Sequence, residues 1–230
     1  MKSLILRSVA AVAVAVLSAC GGGAEYHSGG GGDGGGPYPR PNPQPNPPTL
    51  SCSSAGLAAA AQSSYPTVCM LTSSGEMVIE LYPTYAPITV NNFLRYVSDG
   101  FYSNTLFHHV DRDFVVQAGG YTSGMRPRTP TYAPILSESN NGLSNLVGTV
   151  AMARRSEPNS ATSQFFINVV DNSKTLDYES AAKPGYTVFG RVISGMSTVY
   201  AINGQPTYYY SASDIEPQQE VLVYWVQRLR

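Results

Sequence analysis

Charge is what this sequence has least of. Lys and Arg number 14 and Asp and Glu 15 in 230 residues, so charged groups make up 13% of the chain and the formal net charge is -1. No run of cations is present that could neutralise a phosphate backbone, which excludes nucleic acid as a partner. Cysteine and histidine are scarce too, with 3 of each. There is no CxxC, HExxH, GxSxG or P-loop, so dithiol redox enzymes, zinc hydrolases, serine hydrolases and P-loop nucleotide enzymes are set aside. The histidines are His27 and the adjacent pair His108 and His109. Neighbours on a strand project to opposite faces, so one ring of the pair is expected inside and the other outside, and the two cannot share a metal ion. No metal and no cofactor are expected. The apolar run at residues 9–17 is too short to cross a hydrocarbon core of ~30 Å as a helix.

Glycine and proline, by contrast, are plentiful and unevenly spread, crowding between Cys20 and Pro48. Upstream of them, residues 1–19 read as an export signal, with Lys2 and Arg7 preceding the apolar run. Leu17, Ser18, Ala19 and Cys20 together resemble a bacterial lipobox, in which cleavage exposes a cysteine that is then acylated. An ordinary signal peptide with an incidental cysteine is the alternative. Gly21 stands where an Asp would resemble an inner-membrane retention signal, so a periplasm-facing lipoprotein of the outer membrane is expected. Residues 20–50 form a low-complexity tether, coil-like in its Gly half and a polyproline II spacer in its Pro half. Residues 51–66 are an N-terminal extension in which Ala58 to Ala61 favour a short helical turn, and the folded domain spans 67–230. With Cys20 carrying lipid, Cys52 and Cys69 remain as an even pair in an oxidising compartment, either bridged or as two thiols.

Within the folded part, Met77, Ile79 and Leu81 alternate with Val78 and Glu80 at the period of a strand. Val90, Phe93, Leu94 and Val97 then give one helix an apolar face, with Pro87 as its start signal and Gly100 as its stop. Short apolar runs follow at 106–110, 114–118, 147–153, 165–170, 187–192 and 220–227, separated by turn-forming stretches. A weaker helix is expected at 195–203, and Tyr208, Tyr209 and Tyr210 are expected in a loop before the last strand. Many short strands with two helices predict a mainly β chain built as an antiparallel barrel.

Several blocks in this order resemble one family. Phe107-His108, Phe114-Val115-Val116-Gln117-Ala118-Gly119-Gly120, Gly148-Thr149-Val150-Ala151-Met152-Ala153 and Ser163-Gln164-Phe165-Phe166-Ile167 are similar to the signature segments of cyclophilins, and the likeness runs from about residue 68 to the end. The wording from Asn159 to Val169 is similar to the periplasmic bacterial branch. The resemblance implies an eight-stranded antiparallel β-barrel capped by two α-helices and peptidyl-prolyl cis-trans isomerase activity on proline-containing polypeptides, here exported ones, with no cofactor and as a monomer. It also implies roles for single residues. Phe114, Val115, Phe166 and Leu176 would form the proline pocket, and Gln117 would hydrogen-bond the substrate backbone. Ala153 and Gln164 would line an adjoining subsite, with Tyr186 at the rim.

Two positions depart from the family pattern. Thr175 stands where relatives carry the tryptophan that governs cyclosporin binding. His109 stands where the pattern has an arginine that reaches the prolyl nitrogen. Histidine is shorter, has one N–H when neutral, and is mostly uncharged at neutral pH. His109 acting as imidazolium, or Arg112 or Arg154 reaching in, are the ways such a donor could be restored. Catalysis by His109, Phe114 and Gln117 at a reduced rate is expected; the alternative is a proline-peptide binding or chaperone module without turnover.

Overall fold

A computed structural model describes residues 50–212 and 214–230. The elements run α1 (Ser54–Gln62), β1 (Thr67–Thr72), β2 (Gly75–Leu81), α2 (Pro87–Ser98), β3 (Thr105–Asp111), β4 (Val115–Thr122) and β5 (Arg126–Pro127). They continue with β6 (Thr149–Met152), β7 (Phe165–Asn168), α3 (Ser173–Leu176), β8 (Val188–Ser194), α4 (Met196–Asn203), β9 (Thr207–Ser211), β10 (Asp214–Pro217) and β11 (Val221–Arg228). The large sheet has the order β3-β11-β1-β2-β8-β6-β7-β4-β5, and an additional β3–β4 pairing closes it. The eight strands from β3 round to β4 therefore make a closed antiparallel barrel, with the two-residue β5 as a spur on β4. Closure leaves those eight strands without a free edge.

Each predicted apolar run became a strand because it could send alternate residues to two different apolar environments. Val68 and Met70 of β1 face the barrel interior, whereas Cys69 and Leu71 face out and join Val78, Trp225 and Ala60 in a second cluster. That outer cluster is roofed by α1, which is a full helix where the sequence suggested a turn. Ser53 caps it by accepting from the Gly56 amide at 3.1 Å, and Glu76 in turn accepts from the Ser53 amide and hydroxyl. Gly56 is required by the close approach, since a Cβ there would lie 2.5 Å from Glu76 Oε1 and 2.6 Å from Cys52 Sγ. A disulfide joins Cys52 to Cys69 beneath this helix.

The interior is filled from the strands and closed by side chains of the helical cap, Phe93 and Tyr96 among them. Pro87 opens α2, and its exposed amides are satisfied by Glu138, which accepts from the Ile88 and Thr89 amides and the Thr89 hydroxyl. A carboxylate at a helix N-terminus also meets the positive end of the helix dipole. Phe93 on this helix sits 5.2 Å from Tyr102, 5.5 Å from Phe165 and 5.2 Å from Phe189, ring to ring. From α4, Val199 and Ile202 join the same core. Four helices are present among the described residues, where two were expected; α1 and the single-turn α3 are the additions. The tyrosine segment is a second correction. It forms β9 of a hairpin with β10, and Tyr209 remains 70% exposed, so it was not a core-facing run that sequence periodicity could find.

Closing a loop between residues separated by 17 positions is worth ~3 kcal/mol in the chain-entropy account. The paired change Cys52→Ser and Cys69→Ser is expected to lower the thermal midpoint by ~6–12 °C, read by circular dichroism, with the barrel's far-ultraviolet signal retained below the transition.

Candidate active site

The same alternation that fills the barrel builds a site on its outside. In β4, Val116 and Ala118 face the core, and Val115 and Gln117 face outward. Their cross-strand partners follow suit: Phe165 and Ile167 point inward, while Phe166, directly opposite Gln117 and Ala151, points out. Outward-facing Val115, Ala151, Ala153 and Phe166 would expose a patch of apolar surface to water. Leu176 and Val188 pack over part of it, and Phe114, Leu143 and Tyr186 pack at its edge. What remains open is a shallow concavity lined by Phe114, Val115, Gln117, Ala153, Arg154, Phe166, Leu176 and Tyr186. Tyr186 meets Phe166 edge-on, with ring centroids 5.5 Å apart.

Polar groups hold this apolar wall. Gln117 donates to Gln164 Oε1 at 2.8 Å, and the Gln164 side chain lies over Gly120, where a Cβ would come within 2.5 Å of it. Gln164 and Ala153 line an adjoining, wider hollow of about 140 Å³ with Pro130, Arg154, Arg155, Ser160 and Thr162. Arg154 forms the wall between the two hollows and is held there by backbone carbonyls. Its Nε and Nη2 donate to the Gly185 carbonyl at 2.9 and 2.8 Å, and its Nη1 donates to the carbonyls of Arg155 and Ser156. Its guanidinium also sits 4.6 Å over the Tyr186 ring. Arg112 is tied to the Gly204 carbonyl at 3.3 Å. Neither arginine is placed as a free donor at the concavity.

The histidine pair corrects the expectation of one ring inside and one outside. A register irregularity falls between Phe107 and His109: Phe107 lies opposite Ala118 and faces the core, yet His109 lies opposite Gln117, an outward residue. A bulge of this kind lets consecutive side chains share a face. His108 stacks at 4.6 Å on Tyr121 and lines a cleft with Glu216 and Glu220, so both rings lie on the outer side. Both are buried there, because β10 packs across β3. The Ile215 amide donates to His109 Nδ1 at 3.4 Å. In a neutral ring that leaves the proton on Nε2, and His109 Nε2 has no hydrogen-bond partner among the described residues. Burial pushes the His109 pKa below its ordinary value, and the pull of Asp214 in the other direction is weaker. Burial, with His109 as a neighbour, takes His108 down to about 3. Across the hairpin Glu216 is pushed up to about 7 by burial and by Asp214. His109 is thus a neutral imidazole, which removes the imidazolium form as its means of donating.

The structure gathers Phe114, Val115, Gln117, Ala153, Phe166, Leu176 and Tyr186 around one concavity and places Gln164 beside it. His109 sits one strand away, next to Gln117 but not in the lining. Cys20 lies outside the described residues. Sequence reasoning missed a set of asparagines behind the wall. Asn168 donates to Asn145 Oδ1 at 3.2 Å and to Thr149 Oγ1 at 2.9 Å; Asn172 donates to Asn168 Oδ1 and to the Phe114 carbonyl. Asn145 closes the circuit on the Leu176 carbonyl and on Asp177. Two residues of the concavity, Phe114 and Leu176, are pinned through this network. The one sequence signal was a polar residue, Asn168, inside the apolar run 165–170.

Cutting such a network strands buried partners at ~1–3 kcal/mol each. Asn168→Ala is expected to weaken binding of a proline peptide severalfold while the chain still folds, read by titration alongside a thermal melt.

The comparisons with known proteins agree with this geometry. Residues 67–226 match the family model for cyclophilin type peptidyl-prolyl cis-trans isomerase/CLD. A peptidyl-prolyl cis-trans isomerase of Acinetobacter baylyi is 47% identical over 158 residues, covering 69% of this chain and 82% of that protein. Peptidyl-prolyl cis-trans isomerase B of Escherichia coli is 45% identical over 153 residues, covering 66% of this chain and 93% of that protein. Among solved structures, a Cryptosporidium parvum cyclophilin type isomerase studied in the presence of the dipeptide Ala-Pro superposes with a TM-score of 0.59 at 25% identity, covering 71% of this chain and 99% of that one. The chain therefore belongs to the cyclophilin-type peptidyl-prolyl cis-trans isomerase family.

Proposed function

We propose that this peptidyl-prolyl cis-trans isomerase acts on X-Pro bonds of exported polypeptides at the bacterial envelope, held there by a lipid on Cys20, and that His109 limits its rate. The observation that carries the reading is the apolar concavity of Phe114, Val115, Phe166 and Leu176 with Gln117 on its wall. Rotation about a peptide bond breaks C–N resonance at a cost of ~18–20 kcal/mol, and X-Pro exchange takes tens to hundreds of seconds unaided. A wall that grips the proline ring while the preceding carbonyl turns lowers that barrier in one way. Gln117 lies where the substrate backbone would pass. In the twisted transition state the prolyl nitrogen regains a lone pair, so a donor aimed at it acts only there, which is the condition for raising a rate.

His109 supplies a poor version of that donor. It is neutral, offers one N–H, and lies beneath β10. Loss of one preorganised donor costs about 10²- to 10³-fold. The covered position of His109 is also what favours a second reading, a proline-peptide binding or chaperone module that holds clients without turning them over. The export part of the proposal draws on Leu17 to Cys20 and on the Cys52–Cys69 disulfide, a bond that persists in oxidising compartments.

His109→Arg is expected to raise kcat/KM on an Ala-Pro peptide by ~10-fold or more over wild type, with Phe114→Ala as the baseline of a disabled pocket. Wild-type activity no higher than that baseline, with peptide binding retained, selects the binding module. Because burial lowers the His109 pKa, its charging is displaced to lower pH than that of an ordinary histidine. The wild-type rate is therefore expected to show no imidazolium-driven rise on acidification through neutral pH. An inflection near neutral pH that Glu216→Gln abolishes belongs to Glu216, which is pushed up to about 7, whereas a rise that persists in that variant would require the imidazolium. For the anchor, Cys20→Ser is expected to move the protein from the membrane fraction to the soluble envelope fraction on cell fractionation.

A further inference from the structure

Between Gly36 and Pro48 almost every second residue is proline, so this stretch is a run of X-Pro bonds: Gly36-Pro37, Tyr38-Pro39, Arg40-Pro41, Asn42-Pro43, Gln44-Pro45, Asn46-Pro47 and Pro47-Pro48. It lies in the same chain as a concavity suited to an X-Pro unit. Resting on the reading of that concavity as the proline pocket, we propose that residues 38–41 are its intramolecular ligand, occupying it in competition with polypeptides from outside.

Reach decides which of these bonds can serve. The Leu50 carbonyl accepts from Gln227 Nε2 at 2.8 Å, which fixes where this segment leaves the domain. Gln227 lies opposite Cys69, near one end of β11, while Val221 further along the same strand lies opposite Phe107 of β3. From there the register continues to His109, across to Gln117 and on to Phe166. At ~3.3 Å per strand residue and ~4.8 Å between strands, the pocket lies about 30 Å from the Leu50 anchor. A chain spans at most ~3.3–3.6 Å per residue, so a bond must stand ~9 or more positions before Leu50 to arrive. The bonds at Pro43, Pro45, Pro47 and Pro48 fall short. Arg40-Pro41 arrives only when fully extended, and Tyr38-Pro39 is the first with slack; Gly36-Pro37 reaches as well but brings no side chain ahead of its proline.

Connection through one chain gives such a segment an effective concentration on the order of millimolar, enough for a weak X-Pro ligand to hold its site.

The test uses the full chain in detergent micelles, with the backbone amides of Val115 and Phe166 followed by NMR in wild type and in the double variant Pro39→Ala with Pro41→Ala. Both substitutions lie outside the folded domain, so loss of fold does not confuse the result. The expected result is a shift of both amides in the variant and apparent binding of an added Ala-Ala-Pro-Ala peptide that tightens about twofold or more, independent of protein concentration. The control pair Pro45→Ala with Pro47→Ala is expected to leave the amides unchanged. Identical amides in wild type and variant, with the added peptide still shifting them, would overturn the intramolecular ligand and leave the pocket standing. A shift that grows with protein concentration would overturn it in favour of docking between copies. If the added peptide shifts nothing, the pocket reading falls and the proposal with it.

Discussion

Pairing of β3 with β4 is the contact on which the rest of this molecule depends. It joins the two ends of an eight-stranded row and turns an open sheet into a barrel. Once closed, every strand has a definite inside, and period-two alternation assigns each side chain to core or surface. The aromatic core around Phe93 and the outer wall around Phe166 are two readings of the same strands. The site is therefore a by-product of how the barrel is filled, and its walls are as rigid as the sheet behind them.

The pairing is also where the register departs from regularity, at Phe107 to His109. Without that irregularity His109 would sit on the same face as Phe107, in the core. With it, the ring emerges next to Gln117, at the margin of the concavity. The hairpin β9–β10 then encloses it, and enclosure rather than any charged neighbour sets its protonation. The ring at 109 and its coverage by the hairpin belong together: a compact, neutral imidazole fits beneath β10, and a longer side chain there would have to reach past the hairpin toward the concavity.

Strands were legible in the sequence because each short apolar run had a core to face, as at residues 165–168 and 188–194. Helix α2 was legible for the same reason, its stripe of Val90, Phe93 and Val97 having a single destination. The tyrosines of β9 were not, since three exposed rings in a row carry no period. The faces of His108 and His109 were hidden as well, because a bulge is set by the partner strand, not by the residues that shift. The membership of the concavity came through resemblance to a family and could not have come from periodicity, which sees Phe166 and Phe165 as neighbours of one kind. The asparagine circuit behind Phe114 and Leu176 was invisible for a different reason. Its members are far apart in sequence, and amide pairing leaves no pattern along a chain.

One feature of the fold concerns force more than chemistry. The chain enters the domain at Leu50, and two residues later Cys52 is bonded to the middle of β1, a strand paired on one side with β11 and on the other with β2. A pull applied to the segment before Leu50 is delivered through sulfur to that central strand and bypasses α1, whose contacts would otherwise peel away one by one. The load is shared by two ladders of hydrogen bonds at once. A domain tethered by this end can be dragged without being unravelled from it.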